Sequence, residues 1–196
     1  MSKNAFANMR LFPLLLACLI SVLFPTLSSA GESKGLIACW KFDEGKGDRL
    51  LDDSGYGNHG TIHGATWTKG IVGGGLLFDG VDDYVKVPKS ASLNSIDKEI
   101  TLMCWIKTPM TGRHSIIERW PCGMDARQRC LELDVDSEEK AVHFALSPTG
   151  MPGTWHKFPQ IIPADNWVHI AATFDGKAMR IYVNGRRQYM VLRPED

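Results

Sequence analysis

The chain is 196 residues long and carries 22 basic and 22 acidic side chains, so its formal net charge is zero. This balance excludes the strongly basic surface that binding to nucleic acid or to an anionic membrane requires. The length suits one domain, which at this size buries roughly 70% of the surface of the extended chain.

The first 30 residues have the organisation of a secretory signal peptide. Lys3 and Arg10 form a basic start, an apolar run follows over 11–24, and small residues precede a cleavage point after Ala30. The apolar run is short for a membrane span and contains a proline, so we expect no transmembrane helix in the mature chain. The sequence therefore predicts export, with the domain secreted, at the cell surface or in the periplasm.

Removal of residues 1–30 leaves one domain over 31–196 with 20 basic and 22 acidic side chains, which again disfavours nucleic acid as a partner. A second interpretation starts from the segment Leu15 to Cys18, which loosely resembles the lipobox of bacterial lipoproteins. Lipidation at Cys18 would leave the apolar stretch 19–24 where a polar tether is usual. The signal peptide is therefore preferred.

Apolar side chains recur at every second position along most of the mature chain, and helical periodicity is almost absent. Short alternating runs separated by Gly, Asp, Asn and Pro are typical of an antiparallel sandwich or barrel. In chain order, the predicted strands cover 36–42, 75–78, 84–87, 99–108, 131–136, 142–146, 168–174 and 179–183. Each alternating apolar set is expected to face a packed interior.

The connections between these strands carry turn signals. Tight hairpins are predicted at 137–140 and at 175–177, where Asp175-Gly176 is a strong turn dipeptide. Another turn begins at Asn184-Gly185. The segment 147–163 is rich in Pro and Gly, and we predict that it is a surface loop.

Four cysteines remain after residue 30, and an even number in an exported chain suggests disulfides. Cys122 and Cys130 flank a short polar loop and are the first pair that we predict, a bridge worth about 2.5 kcal/mol in the chain-entropy model. Cys39 and Cys104 lie in predicted strands, where they either bridge those strands or act as small buried hydrophobic residues. No C-x-x-C spacing points to a metal.

An ordered series of motifs resembles the laminin G-like, concanavalin A-like jelly-roll domains. The series opens with CWKFDEGKGDRLLDDSGYGNHGTIHGATWTKGIVGGGLLFDGVDDYVKVP and continues with EITLMCWIK, NWVHIAATFDG and RIYVNG. The motifs are weak one by one and specific as a series, and they cover about residues 36–190. The resemblance implies an all-β fold, a two-sheet antiparallel jelly-roll sandwich.

The C-terminus departs from the family that the chain resembles. That family continues past the turn at Asn184-Gly185 with a further strand pair and an Asp-bearing segment, whereas this sequence ends at Asp196. The resemblance therefore implies a fragment of a longer protein, or a domain without its last strands, whose sheet edge lies open to pairing.

Calcium is the cofactor that the resemblance implies, in a structural role. Modules of this kind often hold the ion with Asp and Asn side chains, and Asp43, Asp52 and Asn58 are oxygen donors in Gly-rich loops. The alternative is that these residues cap their own backbone in turns, where Asp and Asn are common.

The function that the resemblance implies is non-catalytic recognition of a glycan or an extracellular protein, as part of a larger exported protein. If the alternating strands share a sheet, their outward positions line one ligand face, formed by Trp105, Asp134, His143, His169, Arg180 and Tyr182. Trp120 and Trp155 lie on predicted loops, from which they would stack on sugar rings. For Trp105, the alternative is a place in the structural pattern of the family.

An enzyme is the alternative that Glu132-Leu133-Asp134-Val135-Asp136 suggests, because it puts three carboxylates on one strand face. Laminarinase-type glycoside hydrolases share the jelly roll and carry a similar Glu-x-Asp-x-Glu strand, and carboxylates about 5–5.5 Å apart suit a retaining mechanism. The third acid here is Asp, and solvated acids on an outward face are the default, so we predict no enzyme. A structural module without a small ligand is the third hypothesis.

Overall fold

The computed structural model describes residues 5–8, 35–96, 98–109, 111–119, 130–147, 154–159 and 162–192. Within these ranges the chain forms one short helix, α1 (Ala91–Asn94), and otherwise strands and their connections. The strands are β1 (Ala5–Asn8), β2 (Arg49–Leu50), β3 (Gly60–His63), β4 (Thr66–Lys69), β5 (Gly74–Phe78), β6 (Tyr84–Lys86), β7 (Ile100–Lys107), β8 (Arg113–Arg119), β9 (Cys130–Asp136), β10 (Ala141–Ser147), β11 (Thr154–Pro159), β12 (Val168–Phe174), β13 (Ala178–Val183) and β14 (Arg186–Leu192). Among these described residues, no helix has the length and apolar character needed to cross a membrane.

The strands are arranged in three antiparallel sheets. Seven strands form the largest sheet, in the order β14-β13-β12-β7-β1-β5-β4, and four form the second, in the order β11-β10-β9-β8. A small sheet has the order β2-β3-β6. The predicted all-β sandwich of antiparallel sheets is confirmed.

One apolar cluster joins the seven-stranded sheet to the four-stranded sheet. Its buried members come from β7, β12 and β13 on one side and from β9, β10 and β11 on the other, together with Ile162. The members from the strands are Cys104, Ile106, Leu133, Val135, Val142, Phe144, Phe158, Val168, Ile170, Ala172, Met179, Ile181 and Val183. Burying a side chain the size of Val, Leu or Phe contributes about 1.5–3 kcal/mol. Apart from Phe158 and Ile162, which lie in the predicted loop 147–163, the residues that hold the two sheets together are positions that the alternation predicted.

A smaller apolar cluster supports the N-terminal part of the domain. Phe42, Leu50, Ile62 and Leu76 are its buried members. Phe42 has a positive φ of 60°, and its carbonyl oxygen approaches Gly74 so closely that a Cβ there would overlap it. Glycine at the start of β5 is therefore required for this close packing.

The segment 36–42 differs from the predicted strand. Its one pairing in the structure is an isolated bridge between Trp40 and Asp52. The backbone N–H of Cys39 donates to the Asp52 side chain, and the positive φ of Phe42 turns the chain out of the extended conformation. The strand prediction is wrong here because alternation identified the apolar side of the segment but not the partners of its backbone.

Strands that carry a weak alternating pattern were missed. The predicted loop 147–163 contains β11, and the strands β2, β3, β4, β8 and β14 had no counterpart among the predicted strands. Strand β8 pairs with β9, β11 pairs with β10 and β14 pairs with β13. Their extended conformation depends on a partner edge rather than on their own sequence.

Strand β1 lies within the segment predicted to be a signal peptide. It pairs antiparallel with β5 on one side and with β7 on the other. Removal of residues 1–30 would therefore separate β5 and β7 from their shared neighbour. The cleavage itself stays a prediction.

Truncation of a core side chain tests the packing between the two sheets. Phe144 is completely buried in the main cluster, so Phe144→Ala should lower the free energy of unfolding by about 3–5 kcal/mol through the cavity it leaves. The control is Val81→Ala, because Val81 is 84% exposed, and a change below about 0.5 kcal/mol is expected there. Denaturant unfolding followed by tryptophan fluorescence measures both, and equal effects would contradict the packing described here.

Candidate functional site

Charged side chains gather on the outward face of β9, which points away from the apolar core. Leu133 and Val135 belong to the core, so the two-residue period of a strand turns Glu132 and Asp134 to the opposite side. The register of the four-stranded sheet places His143 of β10 directly opposite Asp134. A predicted ligand residue and two of the predicted outward acids are thereby brought together.

Arg113 of β8 ties the two carboxylates to each other. Its Nε donates to Oδ2 of Asp134 and its Nη2 donates to Oε1 of Glu132, each at 2.8 Å. On the other side, Nδ1 of His143 lies 3.0 Å from Oδ1 of Asp134, and its Nε2 lies 2.8 Å from Oε2 of Glu139. We call Arg113, Glu132, Asp134, Glu139 and His143 the carboxylate cluster.

The floor of the carboxylate cluster is closed to solvent and its rim is open. The side chains of Glu132 and Asp134 are 8% and 0% exposed, whereas those of Arg113 and Glu139 are 43% and 46% exposed. Burying two carboxylates beside one guanidinium costs hydration energy that the ion pairs do not fully return. Such arrangements occur preferentially at functional sites.

Glu132 is the residue whose protonation the cluster changes most clearly. Burial raises the pKa of Glu132 to about 7, and the hydrogen bond with Asp134 and its negative charge act in the same direction, against the charge of Arg113. Two carboxyl groups in contact do not both ionise readily. Glu132 therefore exchanges a proton with solvent near neutral pH. Its oxygen Oε2 accepts no hydrogen bond from a described residue.

Asp136, the third acid of the predicted strand face, has a different role. Its Oδ1 accepts hydrogen bonds from the backbone N–H groups of Glu138 and Glu139, both at 2.9 Å. The bond from Glu139 contributes most to lowering the pKa of Asp136. This carboxylate caps the hairpin between β9 and β10, at the turn predicted over 137–140.

The predicted ligand residues are divided between the two large sheets. Trp105 in β7 and Tyr182 in β13 belong to the seven-stranded sheet, whereas His143 belongs to the four-stranded sheet. The two sheets meet through their inner faces, so the outward positions lie on opposite sides of the sandwich. The condition that these strands share a sheet is not met, and a single ligand face does not form.

The tryptophans proposed to stack on sugars occupy three different situations. Trp105 makes an edge-to-face contact with His169, with ring centroids 5.3 Å apart. Trp155 lies in β11, where it pairs with Ala145, but its side chain is outside the described part of the structure. Trp120 lies outside the described residues. Their roles in ligand binding stay predictions, as does that of Tyr182.

Asp52 and Asn58, two of the predicted calcium ligands, are bound into the chain by hydrogen bonds. Asp52 accepts from the backbone N–H groups of Cys39, Ser54 and Asn58 and from the Ser54 hydroxyl. Burial alone would raise the pKa of Asp52, but these bonds outweigh it and lower the pKa. Asn58 donates to the carbonyl of Ile37. These contacts are the turn-capping role that the sequence left as the alternative.

A different acidic group lies at the turn after β5. Within the described ranges, Asp79, Asp82 and Asp83 form the one group of three His, Cys, Asp or Glu residues whose ligand atoms all lie within 4.8 Å of one another. Asp79 and Asp83 belong to the motif series that resembles the family, but they were not among the predicted ligands. The sequence feature that could have identified this group is the presence of three acids within five residues, at a turn that contains glycine. Asp43, the third predicted ligand, accepts a hydrogen bond from the N–H of Gly74.

The described cysteine thiols are buried. Cys39 and Cys104 are free thiols in the structure rather than the bridge that the sequence left open. Burial raises the pKa of Cys104 to about 12, and it also raises that of Cys39. Cys122 and the side chain of Cys130 lie outside the described part of the chain, so their disulfide stays a prediction.

A sequence profile of the family described as "Concanavalin A-like lectin/glucanases superfamily" matches residues 79–189. The resemblance found in the motifs is thereby confirmed. A search of curated proteins finds no significant match to the chain.

Two solved structures share the fold. Domain 4 of AbnA, a GH43 extracellular arabinanase from Geobacillus stearothermophilus solved in complex with arabinotriose, matches with a TM-score of 0.59 and 18% identity, over 82% of this chain and 76% of that one. An S-layer domain-containing protein from Clostridium thermocellum (residues 221–444) matches with a TM-score of 0.52 and 23% identity, over 79% of this chain and 71% of that one. At these identities the matches show the fold alone.

The protonation of Glu132 should be visible in the pH dependence of stability. Its pKa is raised from 4.5 to about 7 in the folded protein, so the folded state binds more protons than the unfolded state between these values. This group therefore lowers stability as the pH rises from about 4.5 to about 7, by up to about 3 kcal/mol. Glu132→Gln should remove that part of the decline.

The measurement is the free energy of unfolding of wild type and variant at several pH values, compared as a difference so that other titrating groups cancel. Glu138→Gln in the neighbouring turn is the control, because Glu138 is exposed. The prediction is contradicted if the difference in the free energy of unfolding between wild type and Glu132→Gln is the same at every pH. That result would show that Glu132 titrates as an ordinary glutamate.

Proposed function

Because the chain belongs to the concanavalin A-like lectin/glucanase superfamily, we propose that it is a non-catalytic carbohydrate-binding module of an exported protein, with its ligand site at the carboxylate cluster. The observation that carries the proposal is the pair of buried carboxylates, Glu132 and Asp134, which hydrogen-bond to the half-exposed Arg113 on an outward sheet face. Its rim, formed by Arg113 and Glu139, is open to solvent.

The chemistry of the cluster suits a sugar. Sugar hydroxyls donate and accept hydrogen bonds, and the cluster combines carboxylate acceptors with a guanidinium donor in fixed positions. The fork of Arg113 holds both carboxylates, so little side-chain freedom is left to lose when a ligand binds. Hydrogen bonds to charged groups are worth about 1.5–3 kcal/mol each.

The shared fold supports the ligand class and the location. Domain 4 of AbnA was solved with arabinotriose and belongs to an extracellular enzyme, and the second structure comes from an S-layer domain-containing protein. Together with the N-terminal signal pattern, these matches support a glycan ligand outside the cytoplasm. A larger parent protein, with any catalytic part outside this domain, belongs to the same proposal.

A glycoside hydrolase is the second candidate, and the raised pKa of Glu132 favours it, because a general acid needs a carboxyl that stays protonated near neutral pH. The geometry weakens this candidate. The other two acids on this face are already engaged, because Asp134 binds the guanidinium of Arg113 together with Glu132, and Asp136 caps a turn. Hydrolysis of a β-glucan that Glu132→Gln abolishes would establish the enzyme.

Binding to a panel of soluble polysaccharides tests the proposal. The panel contains arabinan, β-glucan, xylan, mannan and polygalacturonate, and affinity electrophoresis of the full chain reports retention. Asp134→Asn keeps the shape of the side chain but removes its charge, so we expect affinity for the retained polysaccharide to fall by about 10–100-fold. Glu138→Gln, an exposed residue of the next turn, is the matched control and should bind as wild type does.

Two outcomes would contradict the proposal. Equal retention of wild type and Asp134→Asn would place the ligand elsewhere, and Trp105→Ala and Tyr182→Ala would then test the outward face of the seven-stranded sheet. No retention by any polysaccharide, with the chain shown to be folded, would favour a protein partner or a structural module.

Calcium is tested separately, because the predicted ligands lie far along the chain from the carboxylate cluster. We propose that a structural calcium ion is bound in the loops of the N-terminal half, and the acidic group Asp79, Asp82 and Asp83 supports this. Oxygen-rich sites of this kind favour calcium. The melting temperature should fall on addition of a chelator and recover with excess calcium but not with potassium. A melting temperature unchanged by the chelator would contradict the metal.

A further inference from the structure

We propose that the carboxylate cluster binds an uncharged sugar through the hydroxyl groups of the sugar and releases one proton as it does so. This inference rests on the carbohydrate-binding function proposed above and adds the ligand class and the pH dependence of the site.

The floor of the cluster offers a hydrogen-bond acceptor that has no donor. Oxygen Oε2 of Glu132 is buried and accepts no hydrogen bond from a described residue, and the side chain is 8% exposed. Arg113 already donates to the other oxygen of Glu132 and to Asp134. A buried acceptor without a donor costs about 1–3 kcal/mol. A ligand hydroxyl that donates to this oxygen removes that cost.

The charges around Glu132 disfavour an acidic ligand. Among the described residues, the charged or titratable groups that the register and the ion pairs bring to this side of the sheet are Arg113, Glu118, Asp134, Asp136, Glu139 and His143, and the turn between β9 and β10 also carries Glu138 and Lys140. Beyond β10, Lys157 of β11 holds the register position opposite His143. Carboxylates outnumber permanent cations beside the acceptor, and a sugar carboxylate or sulfate would be repelled there. A neutral, hydroxyl-rich sugar fits these charges.

A proton occupies the place that the sugar would take. Arg113 binds both Glu132 and Asp134, and its single positive charge does not compensate two buried carboxylates. Burial, then the hydrogen bond and the charge of Asp134, raise the pKa of Glu132 to about 7. While the site is empty, a proton on Glu132 lowers the cost of leaving its oxygen Oε2 without a donor. A sugar hydroxyl that donates to the same oxygen replaces it, and the proton leaves to solvent.

The sign of the pH dependence follows from this exchange. The sugar binds the form of the site in which Glu132 is ionised, so affinity rises with pH until Glu132 is fully ionised and is level above that. For a carboxyl that titrates at about 7, the ionised fraction increases about 30-fold from pH 5.5 to pH 8.5. The affinity should therefore rise by up to about 30-fold over this range.

Titration calorimetry of the full chain with arabinotriose and with a soluble β-glucan, from pH 5.5 to 8.5, measures the affinity. Repeating each titration in two buffers with different ionisation enthalpies counts the protons released. We expect the affinity to rise with pH, the release to approach one proton per site at the acidic end, and polygalacturonate to bind more weakly than the neutral sugars at every pH.

Two variants identify the titrating group. Glu132→Gln keeps the shape and cannot ionise, so its affinity should no longer change with pH. His143→Asn should keep the rise, although histidine side chains as a class also change charge near neutral pH. A rise that survives in Glu132→Gln and is lost in His143→Asn would overturn the proposal. Circular dichroism of both variants shows whether they are folded.

Failure of this inference is distinguishable from failure of the function on which it rests. Sugar binding with the same affinity at every pH and the same heat in both buffers would overturn proton release and leave carbohydrate binding standing. Tighter binding of polygalacturonate than of neutral sugars would overturn the ligand class. No binding to any sugar at any pH would remove the proposed function, and this inference with it.

Discussion

Strand β9 is packed on both of its faces, and this constraint determines where the candidate site can be. Leu133 and Val135 are almost completely buried in the core between the two large sheets, while Glu132 and Asp134 on the other face are buried against Arg113 and His143. A shift of the strand by one residue would exchange the two faces. It would place two carboxylates in the apolar core, where an unpaired charge costs several kcal/mol. The core and the cluster therefore specify the same register.

The acids of the domain fall into two groups that differ in what faces them. Asp52, Asp136 and Asp175 accept hydrogen bonds from backbone N–H groups, and these bonds lower the pKa of each carboxyl. Glu132 instead faces another carboxyl in a buried position, and its pKa is raised. The first group stabilises turns and loops in the ionised form. In the second group, ionisation of the buried carboxyl destabilises the folded state. A ligand that binds the ionised form can offset this cost.

The pattern of apolar residues was sufficient to predict most of the strands that form the core, but it was insufficient to predict the other strands. The segments around 99–108, 131–136, 168–174 and 179–183 alternate strictly because one face of each lies against the apolar core, and all of them are strands in the structure. The segment 36–42 alternates too, yet its backbone bonds to the Asp52 side chain and forms an isolated bridge between Trp40 and Asp52. Strands β8 and β11 alternate weakly and are extended because their neighbours pair with them.

The amino-acid sequence by itself determined the all-β class, the family and the face of β9 on which the acids lie, because these depend on local period and on the order of motifs. Only the tertiary structure decided which outward residues meet. It placed Arg113 between Glu132 and Asp134, separated Trp105 and Tyr182 from His143, and used Asp136 as a turn cap. The physical reason is that a two-residue period gives the side of a strand but not its neighbours, which are set by sheet order and register.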